Sequence, residues 1–195
     1  MPQGYSDWES ALFKTGYQQD YNLSASAGNQ NSSFIGSLGY SKQTGVSLNS
    51  EMERFTGRVD ASNKYIKVEF GMNASFSWTK NVHLPEGKFY GSAIYASKVN
   101  LTPSTPIYNE DGTYASGYRE NNGYNPILEA EVNDYYARTV RAMGTAKIAY
   151  NVWDNLKVSS VFTVDYSLTK DFFFQSPVGR DGATYQGRGR MQMTD

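Results

Sequence analysis

At 195 residues the chain has room for one or two ordinary domains, but only 39% of it is hydrophobic while 15% is aromatic, with 16 tyrosines, an unusual mix for a dry core. The absence of cysteine excludes disulfide frameworks, thiol nucleophiles and cysteine zinc sites, and a net charge of −1 with both signs interspersed gives no basic face for nucleic acid. No apolar run is long enough for a transmembrane helix, and the start at Met1 lacks the basic and apolar regions of a signal peptide, so an exported chain is expected to be a piece of something longer.

Residues 1–16 predict a loop with a short helix, capped by Ser6 or Asp7, carrying Leu12 and Phe13 and ending at Gly16. From Tyr17 the period becomes 2: Tyr21, Leu23, Ala25 and Ala27 share one face, with Asn22, Ser24 and Ser26 on the other. After turn residues at 28–32, a second strand sets Phe34, Gly36, Leu38 and Tyr40 against Ile35, Ser37, Gly39 and Ser41. A third, from Glu53 to Ala61, sets Phe55, Gly57 and Val59 against Arg54, Thr56, Arg58 and Asp60, and turns near 62–65. The fourth is the clearest: Ile66, Val68, Phe70, Met72, Ala74, Phe76 and Trp78 alternate without error with Lys67, Glu69, Gly71, Asn73, Ser75 and Ser77. At about 3.3 Å per residue, even tilted by roughly 40°, such a run climbs on the order of 30 Å, enough to cross the apolar band of an outer membrane.

Regularity stops over 79–138, a stretch rich in proline, glycine and asparagine that predicts a long loop. Two more strands occupy 139–169, with Val140, Ala142, Gly144, Ala146, Ile148 and Tyr150 on one face of the first and Leu156, Val158, Phe162, Val164, Tyr166 and Leu168 on one face of the second. Their turn is expected at 151–155, and 170–195 reads as the irregular start of another loop. Opposite charges across strands stabilise and like charges oppose. The preferred registers are therefore those that set Asp60 against Lys67, Arg58 against Glu69, and Arg141 against Asp165.

The expected fold is all-β and antiparallel: about six strands of a large transmembrane β-barrel, four of them within 17–78. Connections alternate between short and long, as periplasmic turns and extracellular loops do, so the fourth strand is expected to run outward. Tyr21, Tyr40 and Trp78 are then candidates for an outer aromatic girdle, and Trp153 for the periplasmic end. Arg54, Arg58, Asp60, Lys67, Glu69, Arg141 and Asp165 are expected to line the lumen or face a plug.

The segment SDWESALFKTGYQQDYNLSASAG at 6–28 closely resembles the SusC/RagA class of TonB-linked outer-membrane transporters, in which a similar aspartate-tryptophan segment leads into a strand of the pattern Gln-x-x-Asn-Leu-Ser-x-Ser-Gly-Gly. The resemblance continues through SLGYSKQTG at 37–45, ERFTGR at 53–58, PIYNEDGTY at 106–114 and NP at 125–126, and so covers most of the chain; Ala27 stands where the class has the first of two glycines. It implies a 22-stranded barrel in the outer membrane of a Bacteroidetes-type Gram-negative cell, filled by an amino-terminal plug through which TonB acts. It also implies a SusD-like surface lipoprotein as partner and import of oligosaccharides or peptides. This chain would supply roughly the second to seventh strands, as an internal fragment.

No site for covalent chemistry, metal or cofactor is expected. His83 is the only histidine and has no nucleophile or acid fixed beside it by spacing. Asn109 to Gly112 resembles part of a calcium loop, but Ile107 stands at the first ligand position, so a β-turn is expected. The arginines of 187–190 read as a solvated loop. Phe89, Tyr90, Tyr95, Tyr108, Tyr114, Tyr118 and Tyr124 in the long loop either stack on sugar or contact a lipoprotein lid, or pack the loop upon itself. The alternative to a transporter wall is a secreted all-β carbohydrate-binding module or adhesin; an enzyme is not expected.

Overall fold

The strict alternation becomes one antiparallel sheet of seven strands in chain order, β1 (Tyr17–Gly28), β2 (Ser32–Thr44), β3 (Glu51–Tyr65), β4 (Val68–Val82), β5 (Asp134–Trp153), β6 (Leu156–Phe174) and β7 (Gly189–Thr194). The computed structural model describes residues 5–83, 94–117, 123–184 and 189–194. Each strand pairs with its chain neighbour, so one end of the sheet carries the short turns at 29–31, 66–67 and 154–155. The other end carries the long connections at 45–50, 83–133 and 175–188. The seventh strand is a correction: 170–195 is not irregular throughout, because β6 continues to Phe174 and Thr169–Phe174 pair with Gly189–Thr194. The stretch 79–138 is also shorter as a loop than expected, since β4 runs to Val82 and β5 starts at Asp134.

The faces divide as the alternation requires, but the registers differ from those chosen on charge. Between β3 and β4, Asp60 lies opposite Asn73 and Arg58 opposite Ser75, with the hairpin turn at Ile66 and Lys67 rather than at 62–65. Lys67 therefore sits in the turn and cannot face Asp60. Arg58 instead meets Asp60 along its own strand, Nε to Oδ2 2.6 Å, while Glu69 faces Lys64. The apolar face supplies the physical reason. The observed register sets Phe55 beside Trp78 and Glu53 beside Lys80. The charge-chosen register would have carried Glu53 level with Ala74, in the middle of the apolar face, where desolvation of a carboxylate outweighs exposed charge pairs. The turn carries strain in return, for Ile66 has φ +51°, a left-handed conformation that β-branched residues avoid.

Between β5 and β6, Arg141 lies opposite Ser167 and Met143 opposite Asp165, two residues from the expected register. The ion pair forms diagonally, with Arg141 Nη2 2.6 Å from Asp165 Oδ2 and Nε 3.1 Å from Oδ1. A bulge between Asn151 and Trp153 then brings Trp153 opposite Leu156. Facing residues point the same way, so this one-residue slip carries Trp153 off the polar parity of Arg141 and Lys147 and onto the apolar face.

The buried core lies beyond the sheet, at the long-loop end. There α1 (Trp8–Leu12), α2 (Ile94–Asn100) and α3 (Pro126–Val132) bring together Trp8, Leu12, Ile94, Leu101 and Ala130 with Tyr135 at the start of β5. Leu48, Ile107, Ile127 and Phe173 pack around them. As expected, α1 is capped by Asp7, whose carboxylate accepts from the Ser10 N–H at 3.0 Å. The described parts of the long connections thus fold onto one another as a cap on the sheet.

Candidate functional site

Three surfaces bear on function: the polar face of the sheet, its apolar face, and the cap. On the polar face, Arg54, Arg58, Asp60, Glu69, Arg141 and Asp165 lie where alternation puts them. Glu69 receives Lys157 at 2.5 Å and Lys64 at 4.0 Å. Glu69 and Lys157 meet across β5 because the residue between them is Ala149, 1% exposed.

The apolar face is organised in levels. One level runs through Tyr21, Tyr40, Phe55, Trp78, Val140 and Leu168, each opposite the next on the neighbouring strand. Its aromatic rings follow one another at centroid spacings of 6.3, 4.7 and 5.8 Å. A second level, toward the short turns, runs through Tyr65, Val68, Tyr150 and Val158. The two are ten residue steps apart on every strand that carries both, about 33 Å along the strand and about 25 Å along the normal for a tilt of roughly 40°, the height of an outer-membrane apolar band. Between them this face bears no charged side chain on β1–β6. Leu23, Leu38 and Phe162 are 71, 65 and 68% exposed there.

Immediately beyond the first level, toward the long loops, lies a row that the sequence reading missed: Gln19, Lys42, Glu53, Lys80, Arg138 and Lys170, again each opposite the next. The signal was present as a basic residue two positions outward of a belt residue, in Tyr40 and Lys42, Trp78 and Lys80, Val140 and Arg138, Leu168 and Lys170. Only the register shows that the four are level. Lys80 Nζ and Arg138 Cζ both lie over the Tyr136 ring, at 5.4 and 4.8 Å from its centroid. Glu53 accepts from the Tyr40 hydroxyl at 2.9 Å.

The cap is pinned by three residues one helical turn apart: Asn125, Glu129 and Asn133, all buried. Asn125 Oδ1 caps α3 by accepting from the N–H groups of Ile127 and Leu128, while its Nδ2 donates to the carbonyls of Ile107 and Ala115, both at 2.9 Å. Glu129 accepts from Asn133 Nδ2 at 2.7 Å and from the Arg180 N–H at 2.6 Å, and Asn133 Oδ1 accepts from the Ser176 N–H. Segment 175–180, which leads into α4 (Arg180–Thr184), is thereby tied to α3. Sequence reading gave these three no role, because polar residues in a loop-like stretch do not announce their burial.

Of the seven aromatic loop candidates, Tyr108 and Tyr114 are brought together across a small bridge, ring centroids 5.1 Å apart, with Tyr108 52% exposed. Between them the expected β-turn forms: the Gly112 N–H donates to the Asn109 carbonyl at 3.0 Å and Gly112 has φ +83°. The Thr113 hydroxyl and then its N–H hold Asp111 below the usual carboxylate range. Donation to Glu131 holds the Tyr114 hydroxyl above the usual tyrosine range. Tyr124 is separate, beneath Arg180 at 5.6 Å, beside a polar cavity of about 570 Å³. Phe89, Tyr90 and Tyr118 lie outside the described residues, as do residues 187 and 188 and the side chain of Tyr95. His83 is exposed, and among the described residues no cluster of three or more metal-ligating side chains occurs.

A sheet with two aromatic levels at bilayer spacing, uncharged between them on one face and charged on the other, is a wall section of an outer-membrane-type β-barrel. The comparisons give the kind of barrel. The chain is 28% identical over 120 residues to the TonB-dependent receptor SusC of Bacteroides thetaiotaomicron, covering 60% of this chain and 12% of SusC. It is 32% identical over 164 residues to TonB-dependent receptor P3 of Formosa agariphila, covering 80% of this chain and 16% of that protein. No family model matches. Among solved structures, the RagAB peptide importer shares the fold in its closed-closed and open-open states, with TM-scores of 0.72 and 0.74 at 20% identity, each covering 91% of this chain and 21 and 20% of the matched chain. The chain belongs to the SusC/RagA-type TonB-dependent receptors and supplies strands of the barrel. It spans 12 to 17% of the length of the curated relatives it matches.

Proposed function

We propose that this chain forms wall strands and outward loops of a TonB-dependent outer-membrane transporter that imports oligosaccharides with a SusD-like lipoprotein. The short turns then face the periplasm, the cap faces outward, the apolar face meets lipid, and the polar-face charges line the lumen or meet the plug. Lys67 belongs to the periplasmic turn in this reading, and Trp153, with Tyr65 and Tyr150, to the inner girdle. The observation that carries the reading is the pair of aromatic levels ten residues apart with no charge between them. A secreted binding module is disfavoured by the same face, since a sandwich would bury it against a second sheet.

Oligosaccharide is preferred because Tyr108 and Tyr114 offer two adjacent rings on an exposed hairpin, the arrangement that stacks on sugar faces. Peptide is the second reading, favoured by the fold shared with a peptide importer. Nothing in either reading requires covalent chemistry, and the recognised relatives are receptors rather than enzymes. The test uses the full-length receptor in cells. Tyr108→Ala with Tyr114→Ala is expected to slow uptake of the oligosaccharide that supports growth, leaving surface abundance unchanged. Growth on peptide lost in its place would reverse the preference, and normal uptake of both would remove the ring pair from recognition.

A further inference from the structure

We infer that the row Lys42, Lys80, Arg138 and Lys170 is a binding site for the phosphorylated headgroups of anionic lipid in the outward-facing leaflet. The inference rests on the transmembrane reading above and adds a specific ligand to it. Four cations and one carboxylate, Glu53, occupy one level of the apolar face of β2–β6, two residues or about 6.6 Å beyond the aromatic belt. That is the depth at which an acyl chain gives way to its headgroup. No cation lies on this face between the belts, and none lies at its short-turn end, where Lys64 and Lys157 take the polar face and Lys67 the turn. Cations therefore mark only one of the two interfaces.

Their chemistry fits phosphate rather than structural pairing. The ion pairs found among the described residues are Arg58 with Asp60, Lys64 and Lys157 with Glu69, Lys98 with Glu9, and Arg141 with Asp165, so none of the four is bridged to a carboxylate of a described residue. The lone acid in the row, Glu53, accepts from the Tyr40 hydroxyl and leaves the row with a net positive charge of three. Lys80 and Arg138 converge on one ring, which holds two positive heads side by side at little entropic cost. From β2 to β6 the row spans four strand spacings, about 19 Å, enough for more than one headgroup.

The test places the full-length receptor in phosphatidylcholine vesicles containing either phosphorylated lipid A or its dephosphorylated form, and counts the lipid retained after detergent extraction by native mass spectrometry. Each surface cation favours an anionic lipid by a factor of about five, so wild type is expected to prefer the phosphorylated form at least about tenfold. Lys80→Gln with Arg138→Gln is expected to lose most of that preference and the fourfold glutamine variant all of it. Lys147→Gln, on the polar face, and the charge-keeping swap of Lys80→Arg with Arg138→Lys are expected to retain it. Equal retention of both lipids by wild type, or an undiminished preference in a glutamine variant that still migrates as a folded barrel, overturns the inference. Wild type found outside the outer membrane on fractionation would instead overturn the transmembrane reading itself, and this site with it.

Discussion

Replacing Asn125 with alanine separates the cap from the sheet energetically. The side chain is 1% exposed and makes four hydrogen bonds, two as the cap of α3 and two to the carbonyls of Ile107 and Ala115. Loss of a cap costs about 1 kcal/mol. The Ile107 carbonyl keeps a second donor in the Ala115 N–H, but the Ala115 carbonyl is left buried without one, at about 1–3 kcal/mol. The cap should therefore open more easily by about 2–4 kcal/mol, which is roughly 30- to 1000-fold in amide exchange. Hydrogen exchange on the full-length receptor is expected to show this at residues 106–117 and 123–133, while amides of β3 and β4, held by their own ladders, stay protected. Asn125→Ser, which keeps the cap and loses the carbonyl contacts, should recover about 1 kcal/mol. Unchanged exchange in the cap, or deprotection spread equally into β3 and β4, would refute the assignment of Asn125 as its keystone.

Other expectations are direct to check. Ile66→Gly removes a left-handed β-branched residue from the turn and should raise stability to urea by about 1 kcal/mol without changing register. Because the chain has no native cysteine, Thr56→Cys with Ser77→Cys should oxidise readily, since the two lie opposite each other; the register chosen on charge would hold them about 20 Å apart, and failure to cross-link would favour it. Asp111, held below its ordinary range first by the Thr113 hydroxyl, should stabilise its hairpin above about pH 4 and lose that support as pH falls through the lowered value. Thr113→Val should move that loss to higher pH, read from exchange of the backbone amide at position 113; an unshifted profile would exclude the hydroxyl contact as its cause.

Face and order were legible in the sequence, and level was not. Alternation put Tyr21 and Tyr40 on the apolar face and Arg141 and Asp165 on the polar one, because side-chain direction in a strand has a fixed period of two. Where along the strand a residue meets its neighbour depends on the turn, and turn chemistry misled: Asn63 looked like a turn residue and Ile66 did not, yet the turn falls at Ile66. Trp153 lies at the short-turn end, and its face depends on a bulge that composition does not reveal. The cap was less legible still. Trp8 donates to the Thr105 carbonyl at 3.0 Å across 97 residues, a contact without local signature, and the burial of Glu129 follows from segment 175–180 folding back upon it.

The registers decide function as well as fold. Moving β4 by two or four residues against β3 would leave every side chain on its correct face and still break the aromatic level between Phe55 and Trp78, with Lys80 no longer beside Glu53. An amphipathic strand would remain, with no defined position in a bilayer. What fixes the height of this wall is the agreement of five successive registers on where the apolar face stops, and that agreement outweighs both the exposed charge pairs on the other face and the strain at Ile66. The same agreement sets the distance from the bilayer to the cap. Tyr135, in the buried cluster, and Tyr136, under Lys80 and Arg138, are consecutive residues on opposite faces of β5. The cap and the cationic row are therefore held by one stretch of strand, and a disturbance of either should be felt at the other through that pair.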